Sequence, residues 1–189
     1  SMDRDGLKKQ ACAAIDAMAS DLISASHDIH ANPELAFNEH FAHGLLTDRI
    51  EAAGLSVERG ACGLDTAFIS EFGEAGVEVG ILSEYDALPG IGHACGHNII
   101  ATSGLGATLA LSKLGTNLPG RVRYLGTPAE EAGNGKEIMA RQGAFDGLDT
   151  AMMVHPAGVN LMTMPSVAMN EVRVTYTGKS AHASAMPFA

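Results

Sequence analysis

Three β-type runs, Val77–Ser83, Arg121–Gly126 and Thr150–Val154, constrain the fold of this chain more than any other feature. Val77–Ser83 is mostly apolar, as a strand covered on both faces should be. Helix-forming stretches separate the runs. Asn98–Leu114 is rich in Ala, Leu, Gly and Ile and reads as a buried helix, and Lys136–Gln142 reads as a shorter one. Alternating strands and helices argue for an α/β fold: a three-layer α/β/α sandwich on a mixed, mostly parallel sheet. Upstream, Thr66–Glu71 reads as one more strand. Leu7, Ile15, Met18, Leu22 and Ile29 recur at helical steps and predict one amphipathic helix, stopped at Asn32-Pro33. A second helix is expected from a cap at Asn38 to Gly54, with Phe41, Leu45 and Ile50 facing inward.

The strand character changes near residue 166. Val159–Met164 reads as a further strand. In Glu171–Thr177, Val172, Val174 and Tyr176 alternate with polar residues, which predicts a half-exposed strand. Residues 1–165 are therefore expected to form one domain and 166–189 to begin a second, smaller α+β domain. A chain of 189 residues is long enough for one domain with a core plus a piece of another.

Charge narrows the partners. Twelve basic residues against 22 acidic ones give a formal net charge of −10 with no basic run, a poor match to nucleic acid or an anionic membrane surface. The longest uncharged stretch, His97–Ser112, is interrupted by Ser, Thr and Gly and is too short to span a bilayer. Cys12, Cys62 and Cys95 form no disulfide framework. With no secretory h-region visible among the charged residues near the N-terminus, a cytoplasmic setting is expected.

Each of the three strands runs into residues that can carry chemistry. Ser83–Asn98 follows the first and holds Glu84, Asp86, His93, Cys95 and His97. Cys95 and His97 suit a borderline-soft cation such as zinc. Gly126–Gly133 follows the second and holds the adjacent pair Glu130-Glu131. Such carboxylates repel unless a cation or proton sits between them, and one can ligate metal while the other serves as a base. His155 closes the third. Taken singly, each segment also reads as a buried thiol, a solvated acidic turn or a polar strand end. A parallel sheet, however, brings such ends together, and one metal site accounts for all three.

Other signals are weak. His27/His30 and His40/His43 have helical spacing without a carboxylate motif and read as surface pairs. Gly104-Leu105-Gly106 lacks the third glycine of a dinucleotide fingerprint, and Gly135-Lys136 lacks the rest of a phosphate loop.

Taken together, Glu84-Tyr85-Asp86-Ala87-Leu88-Pro89, His93-Ala94-Cys95-Gly96-His97-Asn98, Thr127-Pro128-Ala129-Glu130-Glu131 and Gly178-Lys179-Ser180-Ala181-His182-Ala183 resemble the M20 family of metal-dependent amidohydrolases and peptidases. Asn32-Pro33-Glu34-Leu35 matches as well. The branch is aminoacylase-like and hippurate-hydrolase-like, similar to the p-aminobenzoyl-glutamate hydrolase and M20-domain-containing protein 2 group. The resemblance implies a zinc-exopeptidase-like sandwich with a smaller lid domain.

It also implies roles. Cys95, His97, Glu131 and His155 would ligate metal, with two divalent ions, zinc or manganese, in the site. Glu130 would be the general base in hydrolysis of an amide or peptide bond. Asp86 would hold a ligand imidazole. Glu84 stands where more distant relatives have a ligand histidine and is not counted. His182, in the lid, would meet a substrate oxyanion, often across a homodimer. Family members are about twice this length, so the sequence looks like an N-terminal half that lacks a last histidine ligand. The expected substrate is a small N-acyl amino acid, an aminobenzoyl-glutamate-like compound or a dipeptide. The rival reading is a non-catalytic metal-binding or assembly module.

Overall fold

The computed structural model describes residues 3–165, 168, 172–182 and 184–186. Two units divide at residues 156 and 157. Residues 166, 167 and 169–171, where the sequence changes character, lie outside the described residues.

The first unit opens with two helices where one was expected. α1 (Arg4–Ala17) starts on Asp3, whose carboxylate accepts the Gly6 N–H at 2.7 Å. α2 (Ala19–Ala31) follows after Met18, whose φ of −100° and ψ of 2° break the helical path. α3 (His40–Ala52) is capped from a distance. Glu34 accepts the Phe41 and Ala42 N–H groups at 2.8 and 3.1 Å, while the Asn38 amide turns to the Ala36 carbonyl. A longer side chain therefore does the work expected of Asn38. The inward face of α3 is Ala42, His43, Leu46, Thr47 and Ile50. Phe41 is 42% exposed, so the predicted face is turned by about one residue. His43, read as a surface residue, is buried, because it lies on the i, i+3, i+4 stripe that packs inward.

Five strands follow: β1 (Glu58–Arg59), β2 (Phe68–Gly73), β3 (Val77–Ser83), β4 (Gly120–Gly126) and β5 (Thr150–Met152). They form a mixed sheet in the order β1-β2-β4-β3-β5. β3 runs parallel to both β4 and β5; β2 is antiparallel to β1 and β4. Side-chain alternation separates two cores. Phe68, Ile81, Val122 and Tyr124 join Leu46, Ile50, Ala101 and Leu105 on one face. Leu82 and Leu125 join Met139 and Ala144 on the other. These are the three layers. Phe68 anchors the first core, with its ring 5.1 Å from Tyr124 in an edge-on contact.

α4 (His97–Ser112) lies directly against β3 and β4. A Cβ at Gly104 would come within 2.2 Å of Ser83 Oγ, so only glycine allows this approach. Ser83 Oγ bonds the Ala101 carbonyl at 3.0 Å and pairs with the Tyr124 hydroxyl at 2.8 Å. α5 (Gly135–Arg141) covers the opposite face. No helix among the described residues is long and apolar enough to cross a membrane.

In the second unit, the described residues form no helix or strand. Val159–Met164, expected as a strand, is irregular, with Val159, Leu161 and Met164 more than half exposed. Residues 172–177 are also irregular, and Glu171 lies outside the described residues. Alternation alone does not make a strand; backbone N–H and C=O groups need a neighbouring strand to pair with.

Candidate metal centre

Because β3, β4 and β5 run parallel, their C-terminal ends open on one edge of the sheet. Ser83 leads into Glu84, Tyr85 and Asp86; Gly126 leads into Glu130 and Glu131; Met152 leads into His155. Cys95 and His97 return to the same edge at the start of α4. Gly96 between them has φ +87°, and a Cβ there would lie 2.9 Å from Pro156 Cγ. Glycine thus lets the thiol and the imidazole approach the loop that carries His155.

His97 is the centre of the cluster and is fully buried. Its Nδ1 donates to Asp86 Oδ1 at 3.0 Å, which leaves Nε2 to face the other groups. Around Nε2 stand Glu84 Oε2 at 3.3 Å, Glu131 Oε1 at 3.6 Å and Glu130 Oε2 at 3.7 Å. Asp86 uses its other oxygen to accept the Glu131 N–H at 2.8 Å, so one carboxylate fixes both an imidazole and the acidic loop. His155 donates from Nδ1 to the Pro156 carbonyl at 2.8 Å, and its Nε2 lies 3.7 Å from Cys95 Sγ. Ligand atoms of Cys95, His97 and His155 lie within 4.8 Å of one another, as do those of Glu84, His97 and Glu130.

The electrostatics ask for a cation. Burial and the neighbouring Glu131, Glu130 and Glu84 push the Cys95 thiol up to about 11. Burial, then Glu84 and Glu131, raise the Glu130 carboxyl above its usual range. Burial pulls the His97 imidazole down, but the Asp86 bond and the charges of Glu84, Asp86 and Glu131 outweigh it and its pKa rises. Burial acts to raise the Asp86 carboxyl, yet the His97 bond and the Glu131 N–H prevail and lower it. His97 Nε2, Glu84 Oε2 and Glu131 Oε1 are buried without a hydrogen-bond partner. Two such carboxylate oxygens within 3.6 Å of an unpartnered imidazole nitrogen are costly unless an ion joins them. The field that favours a proton on His97 Nε2 equally favours a metal there, so the donor set fits a divalent cation.

The structure thus gathers Asp86, Cys95, His97, Glu130, Glu131 and His155 at one edge. His182 belongs to the second unit, where Ser184 Oγ lies 2.9 Å from its Nδ1. Two neighbours escaped the sequence reading. Glu84, left uncounted, faces His97; its two-residue spacing from Asp86 on an extended segment was the available signal. Lys136 pairs with Glu84 Oε1 from the first turn of α5, and no motif announced it. An apolar groove of about 890 Å³ runs between α1, α4 and the β3–β5 edge, but no residue of the cluster lines it.

An α/β sheet with thiol, imidazole and paired carboxylates around unpartnered lone pairs defines a metal-binding α/β domain. The model of peptidase family M20/M25/M40 matches residues 80–185, and the chain belongs to that family. It is 44% identical to the Xaa-Arg dipeptidase of Mus musculus over 96% of this chain and 46% of the relative. It is 32% identical to a component of the p-aminobenzoyl-glutamate hydrolase of Escherichia coli (strain K12), over 92% of this chain and 40% of the relative. Among solved structures, the Bacillus subtilis YXEP protein, described as a dinuclear metal-binding peptidase of the M20 family, superposes with a TM-score of 0.67. It is 28% identical and aligns over 72% of this chain and 42% of its own. The chain spans about half the length of the curated relatives it matches.

Proposed function

We propose that the full-length protein is a metal-dependent hydrolase of an amide or peptide bond in a small N-acyl amino acid, an aminobenzoyl-glutamate-like compound or a dipeptide. The convergence of unpartnered His97 Nε2, Glu84 Oε2 and Glu131 Oε1 at the sheet edge carries the reading. The dipeptidase and hydrolase activities in the relatives' names support the substrate class. Cys95, His97, Glu131 and His155 hold the metal. The thiol of Cys95 favours zinc, and the surrounding carboxylate oxygens accommodate manganese. The dinuclear neighbour supports two ions. A divalent cation held there supplies Lewis acidity: it polarises an amide carbonyl and makes water acidic near neutral pH.

The chain's own groups do the rest. Glu130 has a side chain 44% exposed, open to substrate and water. Its raised pKa suits a base that takes a proton from the attacking water and hands it to the leaving amine. One amide and one water become one acid and one amine. Asp86 holds His97 in the tautomer that presents Nε2. Lys136 offsets the charge of Glu84.

In this reading residues 1–165 belong to the catalytic domain, 166–189 open the lid, and His182 meets the substrate oxyanion. The full-length chain pairs as a homodimer through the lid; exposed Val172, Val174 and Tyr176, which a partner surface would cover, support this. The free thiols Cys12, Cys62 and Cys95 support a reducing, cytoplasmic setting.

Metal analysis of a Cys95→Ala, His97→Ala double variant of the full-length protein tests the site, and undiminished metal content would sink it. Turnover of a panel of dipeptides and N-acyl amino acids tests the activity, and no product amine from any of them would remove the hydrolase reading.

A further inference from the structure

The residue ahead of α3 has no place in the metal cluster, yet its contacts lead there. Glu39 is fully buried, and its carboxylate does not cap its own helix. Oε1 accepts the Ala129 N–H at 2.8 Å, across 90 positions of sequence. Oε2 accepts the Thr66 hydroxyl at 2.8 Å. The Thr66 carbonyl in turn accepts the Tyr85 hydroxyl. Tyr85 sits between Glu84 and Asp86, and Ala129 immediately precedes Glu130. One buried chain of hydrogen bonds thus ties together the two loops that carry the acidic groups.

Ala129 needs such a hold. It is fully buried with φ +57°, a left-handed conformation that a residue with a Cβ adopts only when its surroundings impose it. On the far side of Glu130, Asp86 accepts the Glu131 N–H. Glu130 is therefore suspended between two amides, each fixed by a buried carboxylate, while its own side chain stays open. None of the ion pairs among the described residues involves Glu39. A buried acid without a basic partner is an unfavourable choice for packing alone.

We infer that Glu39 is a positioning residue, which holds Ala129 in its left-handed turn and so places the Glu130 carboxylate for proton transfer. The inference rests on the hydrolase reading above and adds to it a residue outside the metal cluster.

The test uses full-length protein and two variants: Glu39→Ala, and Thr66→Val, which keeps the shape and removes the hydroxyl. Two readouts are combined. The first, amide hydrogen exchange, needs no turnover. Residues 127–131 should exchange about tenfold faster or more in Glu39→Ala, with β3 and β4 unchanged. The second is steady-state kinetics. kcat should fall about 10- to 100-fold, as expected for a displaced catalytic group, with KM within about twofold and metal content unchanged. Thr66→Val should move both readouts in the same direction by less. In a Glu130→Gln background, Glu39→Ala should cost nothing further, because it acts through Glu130.

Unchanged exchange at 127–131 overturns the inference. So does faster exchange with normal kcat, and so does faster exchange spread through α3 and the sheet, which marks a merely structural acid. An additive loss in the Glu130→Gln background also overturns it. A wild-type protein that turns over no amide overturns the hydrolase reading instead, whatever the exchange shows, and takes the catalytic part of the inference with it.

Discussion

His97 shows how a single side chain is prepared for a cation. Asp86 occupies its Nδ1, and three carboxylates stand within 3.7 Å of its Nε2. Asp86→Asn should keep the shape but weaken the bond that fixes the tautomer. Metal affinity should fall by about 10- to 100-fold, the usual cost of losing such a partner; titration with a competing chelator measures it, and an unchanged affinity would contradict the role. Glu130 and Glu131 are adjacent but differently set. Glu131 Oε1 is buried and unpartnered, whereas the Glu130 side chain is 44% exposed. Glu130→Gln should cut turnover by about 10²–10⁴ and leave metal in place. Glu131→Gln should lose metal. Equal metal loss in the two variants, or near-normal turnover in Glu130→Gln, would refute this division.

At the scale of elements, α4 and α3 carry opposite lessons. α4 is read correctly from composition because it is apolar almost all round and buried, so no face has to be chosen. α3 has a face to choose, and the structure puts His43 on the inner side, 6.0 Å from the Phe68 ring. Burial pulls the His43 pKa below 6.5, helped by the charges of Arg59 and His40 and opposed by Ala67 and Asp48. The sign follows from proton binding. As pH falls through about 6.5, the unfolded chain takes up a proton on this residue before the folded one does, so stability falls toward acid. In His43→Leu that contribution disappears. Thermal melting from pH 7.5 to 5.5 should show a shallower loss of Tm than wild type, and an identical slope would show that His43 titrates no differently on folding.

At the scale of the molecule, the sheet assembles what the chain keeps apart. Glu84, Asp86, Glu130 and Glu131 crowd one edge, and a bound cation relieves their repulsion. Removing metal with a chelator should lower the melting temperature. At free metal about 100 times Kd the linkage amounts to about 2.7 kcal/mol, or roughly 5–10 °C for a domain of this size. Calorimetry with and without added zinc or manganese measures it, and a chelator-insensitive melt would argue against a cation in the cluster. Much of this was legible in the residues. The apolar runs marked β3, β4 and β5, and the ligand-type side chains following each of them named Cys95, His97, Glu130, Glu131 and His155, because apolar character and ligand chemistry are local properties of residue type. Other features were not. Lys136 beside Glu84, Glu34 as the cap of α3 and Glu39 on Ala129 depend on which segments meet, and 52, seven and 90 positions separate those pairs. The sequence by itself determined β2 to β5, the helices α3 to α5 and the kinds of atom at the strand ends. Only the tertiary structure decided which oxygen is spent on an N–H and which is left for a cation, because that depends on parallel strands bringing distant loops within hydrogen-bond reach.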